Sequence, residues 1–166
     1  MTIYYAGVDS PIGALLLTSD GESLTAVHFA CEPQPQWVRN DQARPLPEAA
    51  RQLAEYFAGQ RREFDLPMNP DGTTFQRRVW SELVKIDYGV TISYGELAAR
   101  IGNPNASRAV GLANSKNPIA IIVPCHRVIG ANGTLTGYAG GLDIKRKLLE
   151  IEREALGERQ LAMACG

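Results

Sequence analysis

The stretch IIVPCHRVIG, residues 121–130, places a cysteine and a histidine side by side at the end of an apolar, β-branched run. The run predicts a buried strand, and Pro124, which lacks an N–H and has a fixed φ, predicts where that strand ends. A neighbouring imidazole is a common means of lowering the pKa of a thiol, so Cys125 beside His126 is a candidate nucleophile. The alternative is a structural cysteine, because unpaired cysteines are mostly small core residues. The pair alone does not separate these two interpretations.

The composition is that of a globular protein: 45% of the 166 residues are hydrophobic and 21% are charged. No apolar run reaches the roughly 20 residues of a membrane helix, and the N-terminus lacks a signal-peptide pattern, which predicts a cytoplasmic protein without membrane association. The widely spaced Cys31, Cys125 and Cys165 form neither a disulfide framework nor a metal-ligand cluster, and His28 with Cys31 cannot fill a tetrahedral site. We therefore expect no metal, no cofactor and no role for Cys165.

Charge is distributed unevenly, although the formal net charge is only −1. Residues 74–153 carry 11 basic and 6 acidic side chains, whereas the rest of the chain carries 6 basic and 12 acidic ones. This distribution predicts that only the second part of the chain meets a polyanion such as nucleic acid. A chance asymmetry is the alternative interpretation.

The fold class predicted is α+β, and its first part, residues 1–72, is a small α/β domain with an antiparallel sheet. Strand-forming runs separated by turn sequences lie at residues 2–8, 14–19 and 24–29. A proline-rich loop is expected over residues 32–47. The helix that follows opens at Pro47-Glu48, ends near Gly59 and has a core face of Ala49, Leu53, Tyr56 and Phe57. Residues 62–68 could return as a strand before the breaker cluster NPDG, which we interpret as the domain junction.

The second part, residues 73–166, is predicted to be mostly helical, with a winged-helix-like helix-turn-helix. The capping-box sequences TTFQ (residues 73–76) and SYGE (residues 93–96) each open a helix, and a further helix begins near residue 106 after the stop signal GNP. Two short helices joined this way are typical of a DNA-binding motif, although an ordinary helical hairpin has the same pattern. A last helix follows a glycine-rich loop, which contains Gly130, Gly133, Gly137, Gly140 and Gly141. Its expected residues are Asp143 as N-cap and Ile144, Leu148, Ile151 and Ala155 along the core face.

Several motifs of the second part resemble those of the O6-alkylguanine-DNA alkyltransferases, also called methylated-DNA–protein-cysteine methyltransferases. The motifs are SYGELA at residues 93–98, RAVG at 108–111 with Asn117-Pro118 after it, PCHRV at 124–128 and TGYAGGL at 136–142. They occur in the family's order and spacing over residues 74–153, and several motifs in register are far more specific than one short match. The first part fits the family's variable N-terminal domain in layout only.

The resemblance implies a single-use reaction in DNA repair, carried out without a cofactor. Cys125 would take the alkyl group from O6 of guanine in double-stranded DNA and keep it as a thioether. His126 would accept the thiol proton through a bridging water, and Glu152, 27 residues after the cysteine, would orient the imidazole. The family pattern further implies a monomer that can assemble cooperatively on DNA, and it leaves activity on O4-alkylthymine open.

The resemblance also assigns residues to the DNA duplex. The target guanine must leave the base stack, because its O6 lies inside the duplex. Arg108 would fill the gap as an arginine finger, and Tyr94 would crowd the 3′ phosphate and protonate guanine N3. Ala106 and Ser107 would allow a close approach to the backbone in the minor groove, where contacts are nearly independent of sequence.

The base pocket is implied to lie under the glycine-rich loop. Tyr138 would stack on the flipped base, while the backbone of Val128 and Ala139 would hydrogen-bond its edge. Asn117 would bridge the helix-turn-helix segments and hold the segment before the cysteine, although Asn-Pro is also a common turn. Asn114 would be a further contact that varies in the family.

Two other functions use the same residues. A non-catalytic, alkyltransferase-like damage-sensing DNA-binding protein would flip alkylated bases without repairing them, but such relatives lack the cysteine that this chain has at Cys125. A hydrolase with a Cys-His-Glu arrangement would need turnover and an oxyanion hole, for which the sequence offers only the glycine-rich loop.

Overall fold

The computed structural model describes the backbone of residues 1–165 and the side chains of residues 1–157. Cys165, for which we expected no role, lies outside the described side chains. Within the described chain, no helix combines the length and the apolar character that crossing a bilayer needs.

The N-terminal sheet contains the strands that the sequence predicts and one that it does not. The strands are β1 Tyr4–Val8, β2 Leu15–Ser19, β3 Leu24–Phe29 and β4 Val38–Arg39, in the order β3-β2-β1-β4. The antiparallel pairing of β1, β2 and β3 confirms the expected meander. Strand β4 lies within the segment expected to be a loop and pairs in parallel with β1. Because the N–H of Val38 donates to the carbonyl of Ile3 at 2.9 Å, this short strand covers part of an otherwise open sheet edge.

Helix α1, Leu46–Phe57, packs against this sheet through the predicted face, with Ala49, Leu53 and Tyr56 fully buried. Residues 62–68 do not form the suggested strand, and only Met68 makes a single bridge to the sheet. The backbone N–H and C=O of Asp65 instead bond to the side-chain amide of Gln52 on α1, at 2.9 and 3.0 Å. Asp65 therefore satisfies its backbone groups on the helix, whereas the Pro67 carbonyl accepts from the Leu24 N–H of β3 at 2.8 Å.

Helices dominate the second part. Its elements are α2 Thr74–Leu83, β5 Ile92–Ser93, α3 Tyr94–Arg100, α4 Ser107–Ser115, β6 Val128–Ile129 and α5 Leu142–Cys165. Thr73 caps α2 with a full capping box, since its hydroxyl accepts from the Gln76 N–H at 3.1 Å and the Gln76 side chain accepts in return at 2.9 Å. Ser93 caps α3 by accepting from the Glu96 N–H at 3.0 Å. Helices α3 and α4 form the predicted helix-turn-helix around a turn in which Gly102 has φ +84°.

The apolar run before Cys125 is not the strand that the sequence predicts. The N–H of Ile122 donates to the carbonyl of Ala120 at 2.8 Å, and that of Val123 to Ile119 at 3.0 Å, so the chain turns here. Ile121 has φ +73°, an unfavourable conformation for a β-branched residue. A short 3-10 helix, Cys125–Arg127, leads into β6, which pairs in parallel with β5. The run is apolar because every side chain in it is buried, and burial alone does not distinguish a strand from a packed turn.

Helix α5 begins at Leu142, so Asp143 lies in its first turn and is not the predicted N-cap. A carboxylate in this position still interacts favourably with the helix dipole. On the predicted core face Leu148 is fully buried, and Ile144, Ile151 and Ala155 are half-buried.

One hydrophobic core spans both parts of the chain. It joins Leu24 and Tyr56 of the first part to Trp80 and Leu148 of the second. The N–H of Val27 in β3 also donates to the carbonyl of Pro118 at 2.9 Å. The two parts therefore pack against each other, and the first part lies directly against the segment that leads to Cys125.

Candidate functional site

Cys125 is the first residue of the 3-10 helix, and only 6% of its surface is exposed. Asn117, just after α4, holds the segment before it, because its side-chain N–H donates to the Val123 carbonyl at 2.8 Å and its oxygen accepts from the Ile119 N–H at 3.0 Å. Asn114 on α4 lies with its amide nitrogen 3.5 Å from the Cys125 carbonyl oxygen. The helix-turn-helix thus fixes the position of the thiol.

Burial raises the pKa of the Cys125 thiol to about 11, while a hydrogen bond with the Asn117 side chain and the positive charge of Lys145 act in the opposite direction. Without a bound substrate, the thiol is therefore protonated at neutral pH. A thiolate is the reactive nucleophile, so chemistry at Cys125 requires a group that accepts the proton.

His126 and Glu152 are the natural candidates for that task. The imidazole Nε2 lies 2.6 Å from Oε2 of the carboxylate, and both side chains are fully buried. The expected pair is therefore in contact, with a helix turn of α5 facing the 3-10 helix. Glu150, two residues earlier on α5, is exposed and does not face His126.

The Glu152 carboxylate accepts hydrogen bonds on both oxygens. Oε2 also accepts from the Tyr56 hydroxyl at 2.7 Å and from Arg127 Nη2 at 3.2 Å, and Oε1 accepts from Arg127 Nε and from the Gly89 N–H, each at 2.9 Å. Although burial alone would raise the pKa of Glu152, hydrogen bonds from His126 and Arg127 and the positive charge of Arg127 lower it to about 2. The carboxylate is therefore an anion throughout the neutral range.

The protonation state of His126 follows from this environment. Burial lowers the pKa of the imidazole, against the opposing charge of Glu152, so the neutral ring dominates at neutral pH. Its proton must lie on Nε2, because Nε2 faces an anionic acceptor. Nδ1 is then a lone-pair acceptor, and it is buried without a hydrogen-bond partner among the described residues. The arrangement leaves Nδ1 available to take a proton, in the residue that follows Cys125 in the chain.

The glycine-rich loop closes over this region and is held by Lys145 of α5. The buried Lys145 Nζ donates to the carbonyl of Val128 at 2.7 Å and to that of Thr136 at 3.1 Å. The Tyr138 ring packs against Phe29, with 5.6 Å between ring centroids, and its buried hydroxyl finds no partner in the described part of the chain. Ala139, beside it, is exposed.

The helix-turn-helix presents the predicted DNA-facing residues at the surface. Arg108 is exposed in the first turn of α4, and Ala106 and Ser107 are half-buried at its start. Leu112, one turn after Arg108 on the same face, is 62% exposed. Tyr94 begins α3, and its hydroxyl lies 2.5 Å from Thr136 Oγ1 of the glycine-rich loop. The structure thus connects the helical surface to the loop above the thiol.

Four residues of this site are missing from the sequence-based assignment or were given only a structural role there: Tyr56, Gly89, Arg127 and Lys145. Arg127 also donates to the Ile86 carbonyl at 2.7 Å, and so connects the 3-10 helix to the segment after α2. Adjacency to His126 could have identified Arg127 as a partner of Glu152. No local pattern points to the other three.

Comparison with known proteins identifies related chains along nearly the whole sequence. Residues 74–154 match the family model described as 6-O-methylguanine DNA methyltransferase, DNA binding domain, and residues 3–70 match that of the ribonuclease-like domain of the same enzyme. A methylated-DNA–protein-cysteine methyltransferase of Methanosarcina acetivorans is 57% identical over 155 residues, covering 90% of this chain and 98% of its own. The one of Mycobacterium bovis is 53% identical over 155 residues, covering 91% and 93%.

Solved structures give the same relationship. The crystal structure of Mycobacterium tuberculosis OGT in complex with DNA has a TM-score of 0.86 and 52% sequence identity, and the match covers 92% of this chain and 94% of that one. The Mycobacterium tuberculosis O6-methylguanine methyltransferase also has a TM-score of 0.86, with 51% identity over 93% and 94% of the two chains.

Proposed function

The chain belongs to the 6-O-methylguanine DNA methyltransferase family, and we propose that it repairs O6-alkylguanine in double-stranded DNA by moving the alkyl group onto its own Cys125. The observation that carries this proposal is the buried thiol beside a neutral imidazole whose Nε2 is bound to an anionic carboxylate. Cys125, His126 and Glu152 together form what we call the alkyl-transfer relay. The same chain carries a helix-turn-helix that holds the thiol in place.

The reaction exchanges one hydrogen for one alkyl group. The thiol proton passes through a water to Nδ1 of His126, and the Cys125 sulfur bonds to the alkyl carbon as the bond from that carbon to O6 breaks. The electron pair of the broken bond stays on the guanine, which takes a proton at N3 from the Tyr94 hydroxyl. The proton on His126 returns to the tyrosine through solvent, so no co-reactant is consumed. Thr136 orients the Tyr94 hydroxyl through their contact at 2.5 Å.

The product explains why each chain acts once. A dialkyl thioether has no leaving group that water can displace under mild conditions, in contrast to the thioester of a cysteine hydrolase. The relay serves to generate a thiolate when substrate is bound, and the buried site keeps that thiol protonated at other times. Cys125 is therefore a stoichiometric acceptor and not a turnover catalyst.

DNA is engaged through the exposed face of α4. Arg108 enters the space left by the flipped guanine, and the half-buried Ala106 and Ser107 allow the helix to approach the sugar-phosphate backbone. The exposed Leu112 makes apolar contact with the minor groove, a type of contact that architectural DNA-binding proteins use to bend the duplex. The basic excess of residues 74–153 supplies the sequence-independent attraction to phosphate.

The flipped guanine is held under the glycine-rich loop. Tyr138 stacks on the base, and the backbone groups of Val128 and Ala139 bond its edge. Although the Val128 carbonyl accepts from Lys145, a carbonyl oxygen has a second lone pair for the substrate. Asn114 contributes from the floor of the pocket, where its buried side-chain oxygen lacks a partner among the described residues.

The direct test uses a duplex that carries one O6-methylguanine. After incubation, intact mass and peptide mapping should find one methyl group on Cys125, and the DNA should contain unmodified guanine. A damage-sensing DNA-binding protein would instead bind the duplex and leave both the protein mass and the lesion unchanged. A duplex with O4-methylthymine, run in parallel, measures whether that lesion is also a substrate.

A further inference from the structure

Helix α1 reaches the alkyl-transfer relay from the other half of the chain. The Tyr56 hydroxyl donates to Oε2 of Glu152 at 2.7 Å, across a sequence separation of 96 residues. The Tyr56 side chain is fully buried, and burial together with the charge of Glu152 raises the pKa of its phenol well above the ordinary value. The hydroxyl is therefore a permanent donor at physiological pH.

The oxygen that Tyr56 contacts is the one that binds the imidazole. Oε2 accepts from His126 Nε2 at 2.6 Å and from Arg127 Nη2 at 3.2 Å, while Oε1 accepts from the Gly89 N–H and from Arg127 Nε. Oε2 thus shares its negative charge among a ring N–H, a guanidinium and a phenol. A change in any one donor alters how strongly the oxygen attracts the others.

We propose that Tyr56 is a positioning residue of the alkyl-transfer relay, through which the N-terminal domain sets the direction and the strength of the Glu152–His126 hydrogen bond. This inference rests on the function proposed above. It gives the N-terminal domain a part in the chemistry, which local sequence patterns in that domain do not indicate.

The expected consequence is a change in the pH dependence of transfer. Removing the phenol leaves more charge on Oε2, which strengthens the bond to His126 and stabilises the imidazolium. The other titratable groups facing this pair are Arg127 and Cys125 of the 3-10 helix, Lys145 of α5, Tyr138 of the glycine-rich loop and Tyr88, which packs against Tyr56. All of them are retained when only the Tyr56 hydroxyl is removed.

The hydroxyl of Tyr56 can be removed while the contacts of its ring are kept. Its ring packs against Phe57, Phe64 and Tyr88, with centroid distances of 5.2, 5.6 and 6.0 Å. Tyr56→Phe keeps these contacts and deletes one hydroxyl. Tyr5→Phe is the matched control, because it makes the same change in β1, where the half-buried Tyr5 ring faces Trp37 at 6.5 Å.

The test measures single-turnover methyl transfer to Cys125 against pH for the wild type, Tyr56→Phe and Tyr5→Phe, together with duplex affinity and thermal stability. For Tyr56→Phe we expect the acid limb of the profile to move to higher pH by up to about one unit, which is roughly a tenfold loss of rate on that limb. Duplex affinity should stay at the wild-type value. Tyr5→Phe should reproduce the wild-type profile.

An unchanged profile, or a rate lowered equally at every pH together with lower stability, would show that Tyr56 serves packing alone and would overturn the inference. Should Tyr56→Phe fail to fold, 3-fluorotyrosine at position 56 provides the second test. Its more acidic hydroxyl is a stronger donor, so the acid limb should move to lower pH. Absence of methyl transfer in the wild type would contradict the proposed function itself, an outcome distinct from a failure of the Tyr56 inference alone.

Discussion

His126 Nε2 and Glu152 Oε2 are 2.6 Å apart in a fully buried pair, and this bond determines which imidazole nitrogen can accept a proton. Because the carboxylate is anionic, Nε2 carries the ring hydrogen and Nδ1 carries the lone pair. In a solvent-exposed pair, water would compete for both ring nitrogens, and the ring hydrogen would occupy either one. The burial of both groups makes the assignment a property of the fold.

Removing the proton acceptor should slow the chemistry and spare DNA binding. We expect His126→Ala to lower the single-turnover rate of methyl transfer by on the order of 100- to 10,000-fold, the usual contribution of a positioned general base. Rapid-quench assays and fluorescence anisotropy with the same duplex would measure rate and affinity separately. A comparable loss of affinity and rate would show that the imidazole is needed for folding and not for proton transfer.

Acid should destabilise the protein through Glu152. Its pKa in the folded protein is about 2 against an ordinary 4.5, so its contribution to stability is present above pH 4.5 and is lost as the pH falls toward 2. This shift corresponds to about 3 kcal/mol. Urea unfolding at several pH values should show a steep loss in this window for the wild type.

Glu152→Gln should lack that pH-dependent loss and be less stable at neutral pH by roughly 3–5 kcal/mol, because Arg127 is left buried without its carboxylate partner. Glu150→Gln, at an exposed position of the same helix, is the control and should behave as the wild type. Equal pH slopes for both variants and the wild type would contradict the assignment of the acid loss to Glu152.

Arg108 should matter for duplex DNA and not for a free base. Arg108→Ala should lower transfer from a duplex by about 100-fold, because unpairing and unstacking the base costs a few kcal/mol that the arginine helps to offset. Reaction with O6-benzylguanine as a free base should stay near the wild-type rate. Lys85→Ala removes one exposed positive charge outside the helix-turn-helix and serves as the control. Equal effects of the two substitutions on duplex repair would argue for general electrostatics.

A side chain at Gly89 should destabilise the protein. It has φ +77°, its N–H donates to Glu152, and a Cβ there would lie 2.2 Å from Leu156 Cδ1. Gly89→Ala should therefore lower stability by roughly 2–4 kcal/mol and also slow transfer. Gly133→Ala has the same backbone strain at φ +83° but no atom within 4 Å of the added carbon, so about 1 kcal/mol is expected. Thermal unfolding and single-turnover rates of both variants measure the difference.

Local sequence patterns predicted most of the elements that surround the site. The capping residues Thr73 and Ser93 start their helices as expected, and the helix-turn-helix and the meander follow from periodicity and turn residues. Cys125 and His126 are adjacent in the chain, so no folding information was needed to pair them. Glu152 could be selected over Glu150 only by resemblance to a family, since both lie on the same helix.

What the sequence did not reveal depends on contacts between distant residues. Residues 62–68 do not form a strand, and the Gln52 side-chain amide binds the backbone of Asp65 there. The apolar run before Cys125 turns around the Asn117 side chain, which binds the Ile119 N–H and the Val123 carbonyl. Tyr56 and Gly89 meet Glu152 only once the two parts of the chain pack together. Periodicity within one segment carries no information about such partners.

The central claim is that Cys125 is consumed by the reaction, and a titration of repair against protein tests it most directly. A fixed amount of duplex carrying O6-methylguanine is incubated to completion with increasing protein, and the repaired guanine is counted together with methylated Cys125. We predict that repaired guanine rises linearly with added protein, at one guanine per chain, until the lesions are exhausted. We also predict one methyl group on Cys125 for each repaired guanine and no repair by Cys125→Ala. Repair of many guanines per chain, or repair by Cys125→Ala, would contradict the account.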